Sequence, residues 1–312
     1  MEGFLFPTFT QIKCFLKENK NHKSGFISII GNPNVGKSTL LNALIGTDLS
    51  IITSKAQTTR HRILGILNDK DYQMVFSDTP GVIKPVYEMQ NSMMSFVKES
   101  LNDADILILM VTVDNIKLKE EKLFDRITKS KSPLLVLINK IDLSNQNEIE
   151  KNVTHWKAIF PKAGIYPISA LNGFFINELK NIILSSLPYS PPFFPKDQLT
   201  DKPERFFVNE AIRKQILLRF KKEIPYSVEV TTEEFHENQK IIKIRSVILA
   251  ERDSQKGILI GHKGDSLKKV GIGARKSLQD FFGKKIHLEL YVKVSKNWRS
   301  NNSMLKRFGY NN

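Results

Sequence analysis

Gly31-Asn32-Pro33-Asn34-Val35-Gly36-Lys37-Ser38 is a complete phosphate-binding loop, set between a strand-like apolar run (Phe26 to Ile30) and a helix-like run (Thr39 to Ile45). The context carries the reading, because a glycine-rich loop cradles phosphates only where a strand feeds it into a helix N-terminus. Gly31 and Gly36 let the backbone curl until successive N–H groups converge on phosphate oxygens. Lys37 is expected to reach the β- and γ-phosphates, and the Ser38 hydroxyl to ligate Mg²⁺. These residues, with Thr39, predict a nucleoside triphosphate site.

The chain has 312 residues, enough for two domains, and 41% hydrophobic with 25% charged residues marks an ordinary globular protein. No apolar run approaches the ~18 residues of a membrane span. The single cysteine, Cys14, excludes an internal disulfide and fits a reducing compartment. Charge is uneven. Residues 202–312 hold 24 Lys/Arg against 12 Asp/Glu, most of the total excess of +15. A basic domain joined to a near-neutral one points to a polyanion partner, nucleic acid or an anionic membrane surface.

Residues 1–24 read as an N-terminal extension, a loosely docked tail rather than a secretory signal. Residues 25–190 interleave strand candidates (Phe26–Ile30, Ile63–Leu67, Met74–Ser77, Ile106–Val113, Leu134–Asn139, Ile165–Ile168) with helix candidates (Ser38–Ile45, Gln90–Leu101, Lys119–Ser130, Asn147–Ile159, Ile176–Leu187). That alternation predicts an α/β domain with a doubly wound, mostly parallel sheet, whose ligands sit beyond the carboxyl ends of the strands. Pro188 to Pro203 carries five prolines and reads as a stiff, extended linker, assigned to 191–204. A second domain, 205–296, runs helix (Glu204–Lys221), strand (Ser227–Thr232), strand (Ile241–Ala250), two helices around a glycine loop, and strand (Ile286–Val294); 297–312 follows as a tail.

Four further motifs stand at the expected ends of the first domain's elements. Asp78-Thr79-Pro80-Gly81, with Val82 after it, follows a strand; Asp78 is suited to Mg²⁺ and the Gly81 N–H to a γ-phosphate. Asn139-Lys140-Ile141-Asp142 follows another. The Asp142 carboxylate can accept both the N1–H and the exocyclic amine of guanine, which adenine does not offer, so GTP is expected over ATP. Asn139 is expected to tie the loop and touch the base, and Ser169-Ala170 to add a backbone N–H to the base pocket. Gln57-Thr58-Thr59-Arg60 lies where a switch loop belongs; Thr59 is preferred to Thr58 as a Mg²⁺ ligand present only with the γ-phosphate.

Together these motifs resemble the translation-factor-like class of small GTPases. Val82 stands where Ras-like enzymes place a water-orienting Gln. The resemblance further implies that Asn34 holds K⁺ beside the phosphates, supplying charge that an arginine finger gives elsewhere. Lys37, Thr59, Gly81 and Asn34 are thus the expected catalytic set.

In the second domain, Gly261-His262-Lys263-Gly264 has the Gly-x-x-Gly form of a KH loop, which joins two helices and clamps about four nucleotides through its backbone. The helix–strand–strand–helix–helix–strand order predicts an α+β, type II KH domain. Gly257, Ile260, Gly261, His262, Lys263, Gly264, Lys268 and Arg275 are the candidate RNA contacts, with Ile258, Leu259 and Ile260 as a groove for bases. Ile244, Val247 and Leu249 read as sheet core.

A GTPase domain with a C-terminal KH domain resembles the Era-like family of ribosome-assembly GTPases. The resemblance extends through Lys55-Ala56-Gln57-Thr58-Thr59-Arg60-His61-Arg62, Ile224-Pro225-Tyr226-Ser227-Val228, Gly273-Ala274-Arg275-Lys276 and the strand from His287 to Val294. It implies GTP hydrolysis, Mg²⁺ and K⁺ as ions, and small-subunit ribosomal RNA near its 3′ end as partner during subunit assembly. Nucleotide state would govern RNA association and release. A monomer in the cytoplasm is expected. Two alternatives stand beside this reading: a GTPase docked peripherally on the inner face of the cell membrane, and an RNA chaperone whose nucleotide site is purely structural.

Overall fold

The computed structural model describes residues 21–114 and 120–310. Expectations for residues 1–20, and the first residue of the helix candidate Lys119–Ser130, lie outside the described residues. The first domain is built on β1 (Lys23–Gly31), α1 (Lys37–Ile45), β2 (Ile63–Asn68), β3 (Tyr72–Asp78), α2 (Glu88–Asp103), β4 (Ile106–Thr112), α3 (Glu121–Lys129), β5 (Leu134–Asn139), α4 (Gln146–Ile159), β6 (Gly164–Pro167) and α5 (Ile176–Ser186). Its six-stranded sheet has the order β2-β3-β1-β4-β5-β6. Every pairing is parallel except β2 with β3, where Ile63 faces Asp78 across an antiparallel edge.

The sheet is central because its strands are apolar on both faces. All of β4 is buried, as parallel strands covered by helices require. Leu40, Leu41 and Leu44 of α1 and Ile183 of α5 cover one face; Met93 and Val97 of α2 and Trp156 of α4 cover the other. β3, β1 and, beyond β4, β5 run parallel and end at the same edge of the sheet, delivering Asp78, Gly31 and Asn139 to one rim.

The proline-rich segment is extended but is not a free spacer. The exposed donors of edge strand β2 are met by it: Ile66 N–H donates to Leu199 O at 2.8 Å and Leu64 N–H to Asp201 Oδ1 at 2.9 Å. The Gln73 side chain accepts from the N–H groups of Phe193 and Phe194, at 2.7 and 3.0 Å. An unpaired strand edge is a template for chain addition, and the linker fills it.

The second domain comprises α6 (Glu204–Arg219), β7 (Val228–Glu237), β8 (Ile241–Ala250), α7 (Asp253–Ile260), α8 (Asp265–Phe282) and β9 (Lys285–Val294). β7 is antiparallel to β8, and β8 parallel to β9, across the α7–α8 crossover. β7 continues to Glu237 rather than stopping at Thr232, because a bulge between Thr232 and Glu234 keeps the polar half paired with β8. Ile212, Ile248, Leu259, Val270 and Leu278 form its separate core. Ile244 and Val247 are buried, as expected, whereas Leu249 is half-buried.

The segment read as a C-terminal tail folds back. Trp298, Leu305 and Tyr310, the last two on and just after α9 (Asn302–Arg307), are fully buried in the α2-side cluster of the first domain. Trp298 also donates its indole N–H to Ser227 O of the second domain at 3.1 Å. Trp298→Ala is therefore expected to lower the stability of the whole chain by about 3–5 kcal/mol, measured as a shift in the denaturant midpoint; an unshifted midpoint would show the segment to be dispensable.

Candidate nucleotide site and nucleic-acid loop

A cavity of about 510 Å³ opens at the rim where β1, β3 and β5 end. Pro33, Asn34, Lys37, Ser38, Thr39, Thr59, Gly81, Asn139, Lys140 and Asp142 all line it. The loop that turns from β1 into α1 needs Gly36: its φ is 101°, and a Cβ there would lie 2.3 Å from the Asn139 amide nitrogen. Lys37 is buried and donates to the carbonyls of Gly31 and Asn32, at 3.1 and 3.0 Å. Burial pulls its pKa down to about 8, with the Asp78 charge opposing. Asn34 donates its amide to Ser54 O at 2.9 Å, which leaves Oδ1 as the end with lone pairs to offer a cation.

Three oxygen-bearing side chains meet beside this loop. Ser38 Oγ lies 2.9 Å from Thr59 Oγ1 and donates to Asp78 Oδ2 at 2.7 Å. The other oxygen of the buried Asp78 carboxylate, Oδ1, has no hydrogen-bond partner among the described residues. A buried carboxylate oxygen without a donor is costly unless a cation completes it. Burial pushes the Asp78 carboxyl up, while Lys37 and the hydroxyls of Ser38, Ser50 and Thr59 pull it down. Thr58 also lines the cavity, but its hydroxyl is turned to Thr53 and to Lys55 O, both at 2.6 Å. The structure thus brings Thr59, and not Thr58, to Ser38.

At the far end of the cavity, Asp142 sits in a single 3₁₀ turn (Ile141–Leu143) and accepts a hydrogen bond from Ser169 Oγ. Asn139 bridges loops: Nδ2 donates to Val35 O at 2.7 Å, and Oδ1 accepts from the Ala170 N–H at 2.9 Å.

In the second domain the Gly261–Gly264 turn joins α7 to α8, as read. Gly261 has φ 74°, and a Cβ would lie 2.3 Å from Ser266 Oγ. His262 and Lys263 are exposed at its tip. Lys268 and Arg275, seven residues apart on α8 and both exposed, share a face with Gly271 between them. Gly257 is exposed and Ile260 half-buried on α7.

Two family models match the chain. One describes a 50S ribosome-binding GTPase, over residues 26–140, and the other a KH domain, over residues 223–299. The chain is 42% identical over 293 residues to GTPase Era of Geotalea uraniireducens, covering 93% of this chain and 99% of that one. The chain belongs to the Era family of GTPases. Its structure superposes on an Era crystal structure in complex with MgGDPNP and nucleotides 1506–1542 of 16S ribosomal RNA, with TM-score 0.89, 36% identity, and coverage of 93% and 100% of the two chains. A variant of Aquifex aeolicus Era bound to GDP·AlF₄⁻ gives the same TM-score, identity and coverage.

Against this Era-family frame several sequence expectations need correcting. Val82 offers nothing to a nucleotide, because its side chain is fully buried in the α2-side core and its N–H donates to Gly31 O at 3.0 Å. Val35 contributes through its backbone alone, its side chain lying in the α1-side core. Thr79 commits its hydroxyl to Ile29 O at 2.7 Å, and Pro80 is buried beside it. The Ala170 N–H is held by Asn139 rather than free for a base. Leu259 is core, 1% exposed, so of the proposed apolar groove only Ile258 is open and Ile260 partly so.

Other residues at the site carried no motif. Ser50 donates to Asp78 Oδ2 at 2.9 Å and is itself fixed by Asn42, which accepts from its N–H and donates to its carbonyl. Leu143 and Leu171, each 78% exposed, flank the base end of the cavity. The KH domain and C-terminal segment also grip the loops around the phosphate end. Arg60 inserts into the KH domain, Lys55 donates to carbonyls at the C-terminal end of α6 (Leu217 and, just past it, Phe220), and Arg299 lies 4.7 Å from the ring of Tyr87, at the start of α2. The Tyr87 hydroxyl reaches Gln57 Oε1 at 3.3 Å, joining the two loops to each other.

Replacement of Thr59 by Ala is expected to reduce GTP turnover on the order of 10²-fold, the scale of losing one pre-placed polar group at a reacting phosphate. Thr58→Ala, which only loosens a turn, should stay within about threefold. A steady-state GTPase assay of both variants decides; equal losses would mean that the loop is rearranged in the working enzyme.

Proposed function

We propose that this Era-family GTPase couples GTP hydrolysis to the binding and release of small-subunit ribosomal RNA near its 3′ end, through its KH loop. The observation that carries the nucleotide half is the meeting of Ser38, Thr59 and the orphaned Asp78 Oδ1 beside a buried Lys37. Support for the RNA half comes from the exposed Gly261–Gly264 turn in a basic domain, and from the superposable Era structure that contains a 16S fragment.

The phosphates would lie against the N–H groups of the Gly31–Ser38 loop, at the N-terminus of α1, with Lys37 supplying charge. Ser38, Thr59 and Asp78 would hold Mg²⁺, which supplies positive charge to the β- and γ-phosphates; one carboxylate with hydroxyls suits its preference for oxygen ligands and retained water. Asp142, steadied by Ser169, would read the guanine edge, with Asn139 bracing the pocket and Lys140 and Leu171 beside the ring. Val82 cannot orient water, and the family resemblance implies that the Asn34 carboxamide oxygen would hold K⁺ at the phosphates. The Gly81 N–H would meet the γ-phosphate. His262, Lys263, Lys268 and Arg275 would face the RNA backbone, with Ile258 and Ile260 under the bases. Maturation of the small subunit is the process in which such RNA would be met.

Crosslinking in cells, followed by sequencing of the bound RNA, tests the assignment: reads should concentrate at the small-subunit rRNA 3′ end, and reads spread elsewhere would overturn it. In vitro, Lys263→Ala should weaken RNA binding uniformly and reduce the salt slope of log K by about 1, without changing GTP turnover in the absence of RNA. For the ion, turnover should rise on exchanging NaCl for KCl, and Asn34→Ala should abolish that difference. Equal rates of the unsubstituted protein in the two salts would sink the K⁺ assignment.

A further inference from the structure

Thr59 lies in a stretch, Leu49 to Arg62, that forms no helix or strand, so no backbone ladder of its own fixes it. Both of its neighbours are instead held by the KH domain. On one side Arg213 of α6 donates to the carbonyls of Thr58 and, at 3.4 Å, Gln57. On the other, Arg60 donates to Val228 O (2.8 Å), Pro225 O (3.0 Å) and Glu229 Oε2 (3.2 Å). Both arginines are almost fully buried. Arg213 is aimed by Glu210 in a two-pronged contact, Nε to Oε1 at 2.7 Å and Nη2 to Oε2 at 2.9 Å. That leaves its remaining donors pointing at one loop, which is the geometry of a planar guanidinium used as a clamp. Suspended between these two anchors, the Thr59 hydroxyl stands 2.9 Å from Ser38.

We propose that Arg213 is a positioning residue for GTP hydrolysis: from the KH domain, it fixes the carbonyls of Gln57 and Thr58 and thereby sets Thr59 against Ser38. It does not line the nucleotide cavity, so it acts through Thr59 and touches no reacting atom. The inference rests on the role given to Thr59 under the proposed function. Its consequence is that the hydrolytic site is complete only while the KH domain is docked. A domain that moves away on engaging another partner takes the Thr58 clamp with it.

The test is a double-mutant cycle on the full chain, Arg213→Ala, Thr59→Ala and both together, following kcat, affinity for GDP and for a non-hydrolysable GTP analogue, and the thermal midpoint. Arg213→Ala should lower kcat about 10–100-fold, the scale attached to a displacement of about 1 Å. Its GTP-analogue affinity should fall while GDP affinity stays within about twofold, because only the triphosphate state uses Thr59. The double variant should be no slower than Thr59→Ala alone. Arg213→Lys, which keeps one donor, should recover at least about threefold of the loss, an interaction of ordinary hydrogen-bond size. Should Arg213→Ala fail to fold, Glu210→Gln, which loosens the clamp without removing it, takes its place in the cycle. Unchanged kcat, a parallel loss of GDP affinity, or losses that multiply in the double variant would each overturn the proposal. If Arg213→Ala is normal while Thr59→Ala is impaired, only this inference fails; if Thr59→Ala is itself normal, the reading of Thr59 falls with it.

Discussion

A guanidinium that water does not reach holds the two domains in register. Arg60 belongs to the first domain and is 1% exposed, yet it donates into the second, to the Val228 and Pro225 carbonyls and the Glu229 carboxylate. Glu229 in turn accepts from the Tyr310 hydroxyl at 2.8 Å, so the folded-back C-terminal segment closes the same cluster. Burial pushes the Glu229 carboxyl up, and Arg60 and Arg213 pull it back. Such a pair adds little net stability over an apolar contact, because desolvating both ions offsets their attraction. Removing one partner is severe, at about 3–5 kcal/mol, since it strands the other charge. The cluster therefore selects one domain arrangement more than it strengthens it. His61, next in the chain, is wedged 4.3 Å from the Tyr310 ring; burial, and then the charges of Arg213, Lys202 and Arg60, drive its pKa down to about 3, so the imidazole itself is neutral.

From this cluster the constraint passes to both loops at the phosphate end. Arg60 follows Thr59 directly, so the position of Thr59 is a property of the inter-domain seam as much as of the nucleotide site. Arg299 makes the matching contact on the other loop. It lies over Tyr87 and pairs with Glu251, just ahead of α7. The Glu251 and Arg252 N–H groups are capped by Gln255 of α7, at 3.0 and 3.2 Å. The helix that ends at Gly261 is thus anchored, at its start, to residues that also touch the first domain.

Legibility in the sequence divided along the same line. The parallel strands, the phosphate loop and the Gly-x-x-Gly turn were readable because each is set by its neighbours in the chain: an apolar run long enough for one strand, then glycines where the backbone must turn. The spacing also placed Ser38, Asp78 and Asp142 on one rim, because open α/β sheets bring their strand ends together. Contacts decided by distant partners were not readable. Nothing near Ala170 says that its N–H is taken by Asn139, and nothing near Leu259 says that it points into the KH core rather than at a base. The linker's prolines announced an extended segment, but its docking depends on the unpaired edge of β2. Arg213 carries no motif; only Glu210, three residues earlier on the same buried face, gives it a direction.

That last case recasts the charge imbalance. A surplus of Lys and Arg in the final third suggested one polyanion partner, but the structure divides the cations by chemistry. At the seam the final third presents arginines: Arg213 is buried and Arg299 is half-buried, each with a carboxylate and a second contact to backbone or ring, opposite Arg60 and Lys55 of the first domain. A delocalised, weakly hydrated fork tolerates burial and fixes direction. Around the Gly-x-x-Gly turn the exposed cations are mostly lysines, Lys263, Lys268 and Lys269, with Arg275 further along α8. A hydrated ammonium on a flexible stem suits a phosphate backbone whose contacts shift with sequence. The final third therefore carries two populations of charge, arginines that hold the loops at the phosphate end from behind and exposed cations around the Gly-x-x-Gly turn in front. Net charge alone counts them together.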